Sequence, residues 1–87
     1  MPEISRFFGI VVYMYGDDHS PPHFHAQYGE FEAMIDIATG EIIKGDFPKK
    51  QLRLIQAWTE IHRQELMNNF DSLRQEEQVF HKIEPLR

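Results

Sequence analysis

The segment from His23 to Asp36 constrains this chain more than any other. Phe24, Ala26 and Tyr28 alternate with His23, His25 and Gln27, the period-two pattern of a strand buried on one face. Gly29-Glu30 follows, and a second run begins at Phe31. Glycine at the first of two central positions suits a type II′ turn, whose twist matches that of paired strands. A two-residue loop sets the register. Tyr28 faces Phe31, Ala26 faces Ala33 and Phe24 faces Ile35 on the core side. Gln27 then faces Glu32, His25 faces Met34 and His23 faces Asp36 on the other. Cross-strand partners sit roughly 4.5 to 5.5 Å apart at Cβ, so this register predicts a histidine beside an aspartate on the face away from the core.

Ile4 to Tyr15, rich in β-branched and aromatic residues, ends at the turn cluster Gly16-Asp17-Asp18 and predicts one strand over residues 4–15. The hairpin supplies strands over 23–28 and 31–37. Ala38-Thr39-Gly40 signals a further hairpin, with two-residue and three-residue loops fitting equally, and a strand over 41–45. Pro48 is placed to open a helix and Asp46 to cap it. Over residues 48–76, Leu52, Ile55, Trp58, Leu66, Phe70 and Leu73 fall in a stripe roughly 120° wide at 100° per residue, as for a helix packed on a sheet. The Phe24, Ala26 and Ile35 face is its expected partner. Such a helix would run about 40 Å, long for so small a body, so its end is expected either to overhang or to break near Asn68-Asn69. Residues 79–86 form a short tail or an edge strand stopped by Pro85. The expected fold is α+β: an antiparallel meander of three to four strands with one long C-terminal helix on one face.

The 87 residues predict a single domain over 1–87, with a core small enough that oligomerisation would help it. Seven Phe, three Tyr and Trp58 partly offset that size. Nine basic against fourteen acidic residues leave a net charge of −5, which favours a protein partner or homo-oligomer over nucleic acid. Lys49, Lys50 and Arg53, with Lys44 nearby, form the one basic concentration and read as the solvated start of a helix. With no cysteine, disulfides and thiolate ligands are excluded. The longest apolar run, Ile10 to Tyr15, is too short to span a bilayer, and Met1 to Arg6 does not read as a secretory signal. The expectation is a cytoplasmic protein without membrane contact.

Chemistry is concentrated in Asp17-Asp18-His19-Ser20-Pro21-Pro22-His23-Phe24-His25, where three of five histidines fall within seven positions. Imidazole titrates near neutral pH and is the commonest metal ligand. The two prolines restrict the backbone between His19 and His23. One reading is a divalent site of His19, His23 and His25 with Asp18 or Asp36, whose nitrogen-rich donors suit Zn²⁺, Ni²⁺ or Fe²⁺ rather than Mg²⁺. Another is metal-free acid–base catalysis, as in a ribonuclease, with Asp36 or Asp18 orienting a histidine and Arg6, Lys44, Arg53 or Lys82 gripping phosphate. A third is an interaction module whose histidine-bearing face docks a partner. His62 and Asn69 project from the apolar helix stripe. A lone histidine there is most simply a hydrogen-bonded core residue; the alternative is that the two share a polar pocket. Tyr13 and Tyr15 read as packing residues, and His81, Glu60, Glu76 and Glu77 as solvated surface.

Further segments carry a resemblance: Pro2-Glu3-Ile4-Ser5-Arg6-Phe7, Gly9-Ile10, Met14-Tyr15, Asp18-His19, Tyr28-Gly29, Gly40-Glu41, Phe47-Pro48, Trp58, Glu65-Leu66 and Ile83-Glu84-Pro85-Leu86. With the Asp-His-x-Pro-Pro-His-Phe-His string, they make the chain similar to the bacterial family known as domain of unknown function 4160. The resemblance implies a small stand-alone bacterial protein, suggested by gene neighbourhood to be toxin–antitoxin-like, with no established reaction. The leading expectation is accordingly a toxin–antitoxin-like or regulatory interaction module with a histidine-rich surface site.

Overall fold

A computed structural model describes residues 3–15, 21–75 and 79–87. The elements are β1 (Glu3–Phe7), β2 (Ile10–Tyr13), β3 (His23–Tyr28), β4 (Phe31–Asp36), β5 (Ile42–Gly45) and α1 (Lys49–Leu73). The strands form one antiparallel sheet in meander order β1-β2-β3-β4-β5. The α+β architecture with one long helix is as expected, but the sheet has five strands rather than three or four.

The extra strand comes from the segment over 4–15, which is a hairpin rather than one strand. Phe8 and Gly9 both adopt positive φ, +48° and +79°, as a type I′ turn requires. An L-residue there costs about 1–2 kcal/mol. Phe8 accepts that cost, and its apolar character conceals the turn inside a continuous hydrophobic run. A bulge between Glu3 and Ser5 lets both Ile4 and Ser5 turn inward.

The β3–β4 hairpin has all six cross-strand pairs expected, from Tyr28 with Phe31 to His23 with Asp36, around Gly29 at φ +57°. The next connection is longer than either expected loop. Residues 37–41 bridge β4 and β5, with Gly40 N donating to Asp36 O at 2.7 Å and Asp36 N to Glu41 O at 2.9 Å. A second bulge at Met34/Ile35 shifts the β4–β5 register.

Pro48 itself is the N-cap of α1, without a side-chain capping bond, so Asp46 does not serve as the cap. Leu52 N closes the first turn on Pro48 O at 2.8 Å. Ile55, Trp58, Leu66, Phe70 and Leu73 are buried against the sheet face bearing Val12, Phe24, Ala26, Ala33 and Ile35. Trp58 meets Phe24 edge-on at 5.8 Å between centroids. The backbone leaves helical geometry at His62 (φ −111°, ψ 21°), one turn after Trp58, rather than at Asn68-Asn69. There Arg63 Nε donates to Ile37 O at 2.9 Å, tying the break to the β4–β5 loop.

Asn69 has a different task from the break expected of it. Buried in the helix, its amide donates to His81 O at 2.7 Å and accepts from His81 N at 2.8 Å. Ile83 N donates to Ile4 O, and the Trp58 indole donates to Glu84 O at 2.8 Å. Residues 79–87 thus form a strap whose main chain is tied to α1 at His81 and Glu84 and to β1 at Ile83, with no strand in it. Among the described residues no helix is long and apolar enough to cross a membrane.

Candidate functional site

The strand alternation that sends Phe24 and Ala26 into the core sends His23, His25 and Gln27 to the opposite face. Among the described residues no helix or strand is layered on that face. The β2–β3 register places Tyr13 opposite His25 and Val11 opposite Gln27. Extending the row across β4 and β5 adds Met34 and Lys44. One line of side chains, Tyr13, His25, Met34 and Lys44, therefore crosses four strands.

The rings on this face touch. The Tyr13 and His25 rings are parallel within 8° at 5.8 Å between centroids. Tyr15 meets His25 edge-on at 4.5 Å, and His23 meets it edge-on at 5.3 Å. His23 also reaches Phe70 on α1 at 5.7 Å, which explains its burial despite its position off the core face. The Tyr13 hydroxyl donates to Glu32 Oε1 at 2.6 Å. Burial first, and then the hydrogen bond to the Glu32 carboxylate, push the Tyr13 phenol well above its ordinary range, so it stays a protonated donor at neutral pH. Beside it, a depression of about 250 Å³ is lined by His25, Glu32, Ala33, Met34, Lys44 and Gly45.

His23 Nδ1 lies 2.7 Å from Pro21 O. A carbonyl only accepts, so Nδ1 carries the proton, and in the neutral ring the lone pair is on Nε2. Asp36 is paired with His23 in register, but its carboxylate is engaged in the following turn, where Oδ1 accepts from Ala38 N at 2.8 Å and Thr39 N at 3.2 Å. His19 and Asp18 lie outside the described residues. Among the described residues no group of three or more His, Asp or Glu is placed to hold one ion.

The remaining candidates disperse. Arg6 is ion-paired with Glu3 at 2.7 Å on the edge strand, and Arg53 is exposed on α1, in the layer behind the sheet. Only Lys44 lines the depression with His25. His62 donates from Nδ1 to Glu65 Oε1 at 2.6 Å, not to a backbone carbonyl, while Asn69 holds His81, so the two side chains bond to different partners. Sequence reasoning placed Glu32 on this face but gave it no role, and it missed Tyr13 and Tyr15 as members. The Gln27–Glu32 pairing is as expected. Tyr13 and Tyr15 arrive through a connection whose register no local rule determines.

The model of the family described as domain of unknown function (DUF4160) matches residues 9–71, well over half of the chain. The β2–β4 strands, the histidine string and most of α1 fall inside that span; β1's Glu3–Phe7 segment and the strap lie outside it. No curated protein and no solved structure matches the chain. The chain belongs to the DUF4160 family.

Proposed function

We propose that this member of the DUF4160 family is a regulatory interaction module, toxin–antitoxin-like in its pairing, that docks a protein partner on the Tyr13, Tyr15, His23 and His25 face of its sheet. The observation that carries the reading is the composition of that face. Touching rings and Met34 occupy its middle, and Glu3, Arg6, Gln27, Glu32 and Lys44 surround them. Aromatic side chains within a polar rim are the anatomy of protein interfaces, and bulky ring anchors dominate their energetics. The net charge of −5 supports a protein rather than a nucleic acid as that partner.

The test is co-expression with the protein encoded beside this chain's gene, followed by affinity measurement. The Tyr15→Ala, His25→Ala double variant is expected to weaken the complex at least tenfold, on the scale of hot-spot truncations, whereas Glu60→Lys on the exposed helix surface should leave it unchanged. No complex, or one indifferent to the double variant, would sink the proposal.

The contact between the His23 and His25 rings supports a second reading, in which these two histidines serve as metal ligands or proton carriers, with His19 and Asp18 as further donors. Zn²⁺ or Ni²⁺ at 100 times its dissociation constant should then add about 2.7 kcal/mol of stability in a thermal melt. Persistence of that shift in a His23→Ala, His25→Ala double variant would exclude metal binding at these histidines.

A further inference from the structure

The bond between Tyr13 and Glu32 crosses a strand. Tyr13 stands on β2 in the row of His25 and Met34, while Glu32 stands on β4 in the row of Gln27. Strands two apart in a sheet are separated by about 10 Å, so a phenol and a carboxylate meet across β3 only if both side chains lean over it. The Tyr13 hydroxyl reaches Glu32 Oε1 at 2.6 Å, within the range of about 2.5–2.7 Å for a hydroxyl bonded to a carboxylate. That lean accounts for two facts about Tyr13. It is only 5% exposed, although among the described residues no helix or strand is layered on this face. Its ring also lies within 8° of parallel to that of His25.

Tyr15 also touches the Tyr13 ring, edge-on at 5.7 Å. Ring contacts of this kind tolerate a range of offsets and tilts, whereas a hydrogen bond is directional and fixes where the hydroxyl points. The backbone beneath Glu32 is itself held from both sides. Glu32 pairs with Gln27 on β3, and its carbonyl accepts from Asp46 N at 3.1 Å, next to the close approach of Gly45. Glutamate is depleted in strands and Glu32 is exposed, so neither strand propensity nor burial accounts for this residue here.

We infer that Glu32 is a positioning residue for this face: by holding the Tyr13 hydroxyl it lays the Tyr13 ring along His25 and so presets the aromatic surface that a partner meets, a role that rests on the docking reading above. Ring anchors bind more tightly when they already hold their bound orientation, because less rotamer freedom is lost on association. Tyr15 and His25 both lie against the Tyr13 ring, so a Tyr13 released from Glu32 unsettles the two rings beside it. Glu32 acts through Tyr13 and needs no contact of its own with the partner.

Proton NMR of the full chain at one pH reads the Tyr13 ring through its ring current on His25, with Tyr13→Leu giving the signal without a ring. Glu32→Leu and Tyr13→Phe are expected to move the His25 ring protons toward their position in Tyr13→Leu. Glu32→Gln keeps a carbonyl acceptor and should leave them near wild type. With the protein encoded beside this chain's gene, Glu32→Leu and Tyr13→Phe should each weaken the complex roughly fivefold, and the two combined no further, as for groups that act through one bond. Glu32→Gln should bind as wild type does. A melting temperature lowered in Glu32→Leu while the His25 signals stay in place would mark a role confined to stability and overturn the inference, as would Glu32→Gln behaving like Glu32→Leu. A complex weakened by the Tyr15→Ala, His25→Ala double variant but indifferent to Tyr13→Phe would overturn it alone. No complex, or one indifferent to that double variant, would overturn the docking reading and this inference together.

Discussion

Trp58→Ala is expected to destabilise the protein by about 3–5 kcal/mol, the range for truncating a large buried aromatic. The indole is fully buried and meets Phe7 at 5.2 Å, Phe24 at 5.8 Å and His62 at 5.7 Å between ring centroids. It therefore joins β1, β3 and the helix break in one contact set. Its Nε1–H also donates to Glu84 O, so truncation removes a fastening of the strap as well as core volume. Small domains are stable by about 5–15 kcal/mol, so the variant should be partly unfolded at 37 °C or fail to accumulate. Trp58→Phe separates the two contributions, since it retains an aromatic ring and leaves the Glu84 carbonyl without its indole partner. Urea unfolding followed by circular dichroism should rank wild type above Trp58→Phe, and Trp58→Phe above Trp58→Ala. A loss below about 1 kcal/mol for Trp58→Ala would show that the core collapses around the vacancy and that Trp58 is not its organising residue.

Trp58 also marks where sequence reasoning is strong. Its position follows from the 3.6-residue period alone, which brings Ile55, Trp58, Leu66, Phe70 and Leu73 to one side, all buried. The β3–β4 register is equally legible, because alternation and a two-residue turn leave a single alignment. Where two local rules conflict, legibility fails. At Phe8-Gly9 the glycine signals a turn but the apolar run signals a strand, and the turn prevails because a hairpin gives β1 a partner in β2. Asn69 reads as a polar intrusion in an apolar stripe, and only the returning strap, twelve residues on, supplies its two hydrogen bonds. For the candidate site, His23, His25 and the row containing Met34 follow from hairpin parity. Their contact with Tyr13 and Tyr15 does not, because that depends on how β2 aligns with β3 after a connection without an assigned turn type.

Gly45→Ala should be the most damaging single-methyl change in the sheet, costing about 2–4 kcal/mol, a value in the upper part of the range for point substitutions. Gly45 has φ +92°, where an L-residue bears backbone strain. Space is the larger difficulty: an added Cβ would come within 2.3 Å of Glu32 O and 3.1 Å of Ala33 Cα, both main-chain atoms that no rotamer change can clear. Relief requires β5 to move away from β4, which breaks the Ala33–Gly45 pairing and the Asp46 N to Glu32 O bond at 3.1 Å. Gly29→Ala provides the control, with positive φ (+57°) but nothing within 4 Å of the new Cβ, so it should lose only about 1 kcal/mol from strain. Displacing β5 also carries Lys44 and Gly45 away from His25, Glu32 and Met34, opening the depression they line together. Denaturation midpoints for the two variants, read beside amide hydrogen exchange along residues 42–46, test both effects. Equal midpoints for Gly45→Ala and Gly29→Ala would show that β5 yields without resistance, and that the close approach of Gly45 to Glu32 does not hold this edge of the sheet or the face built on it.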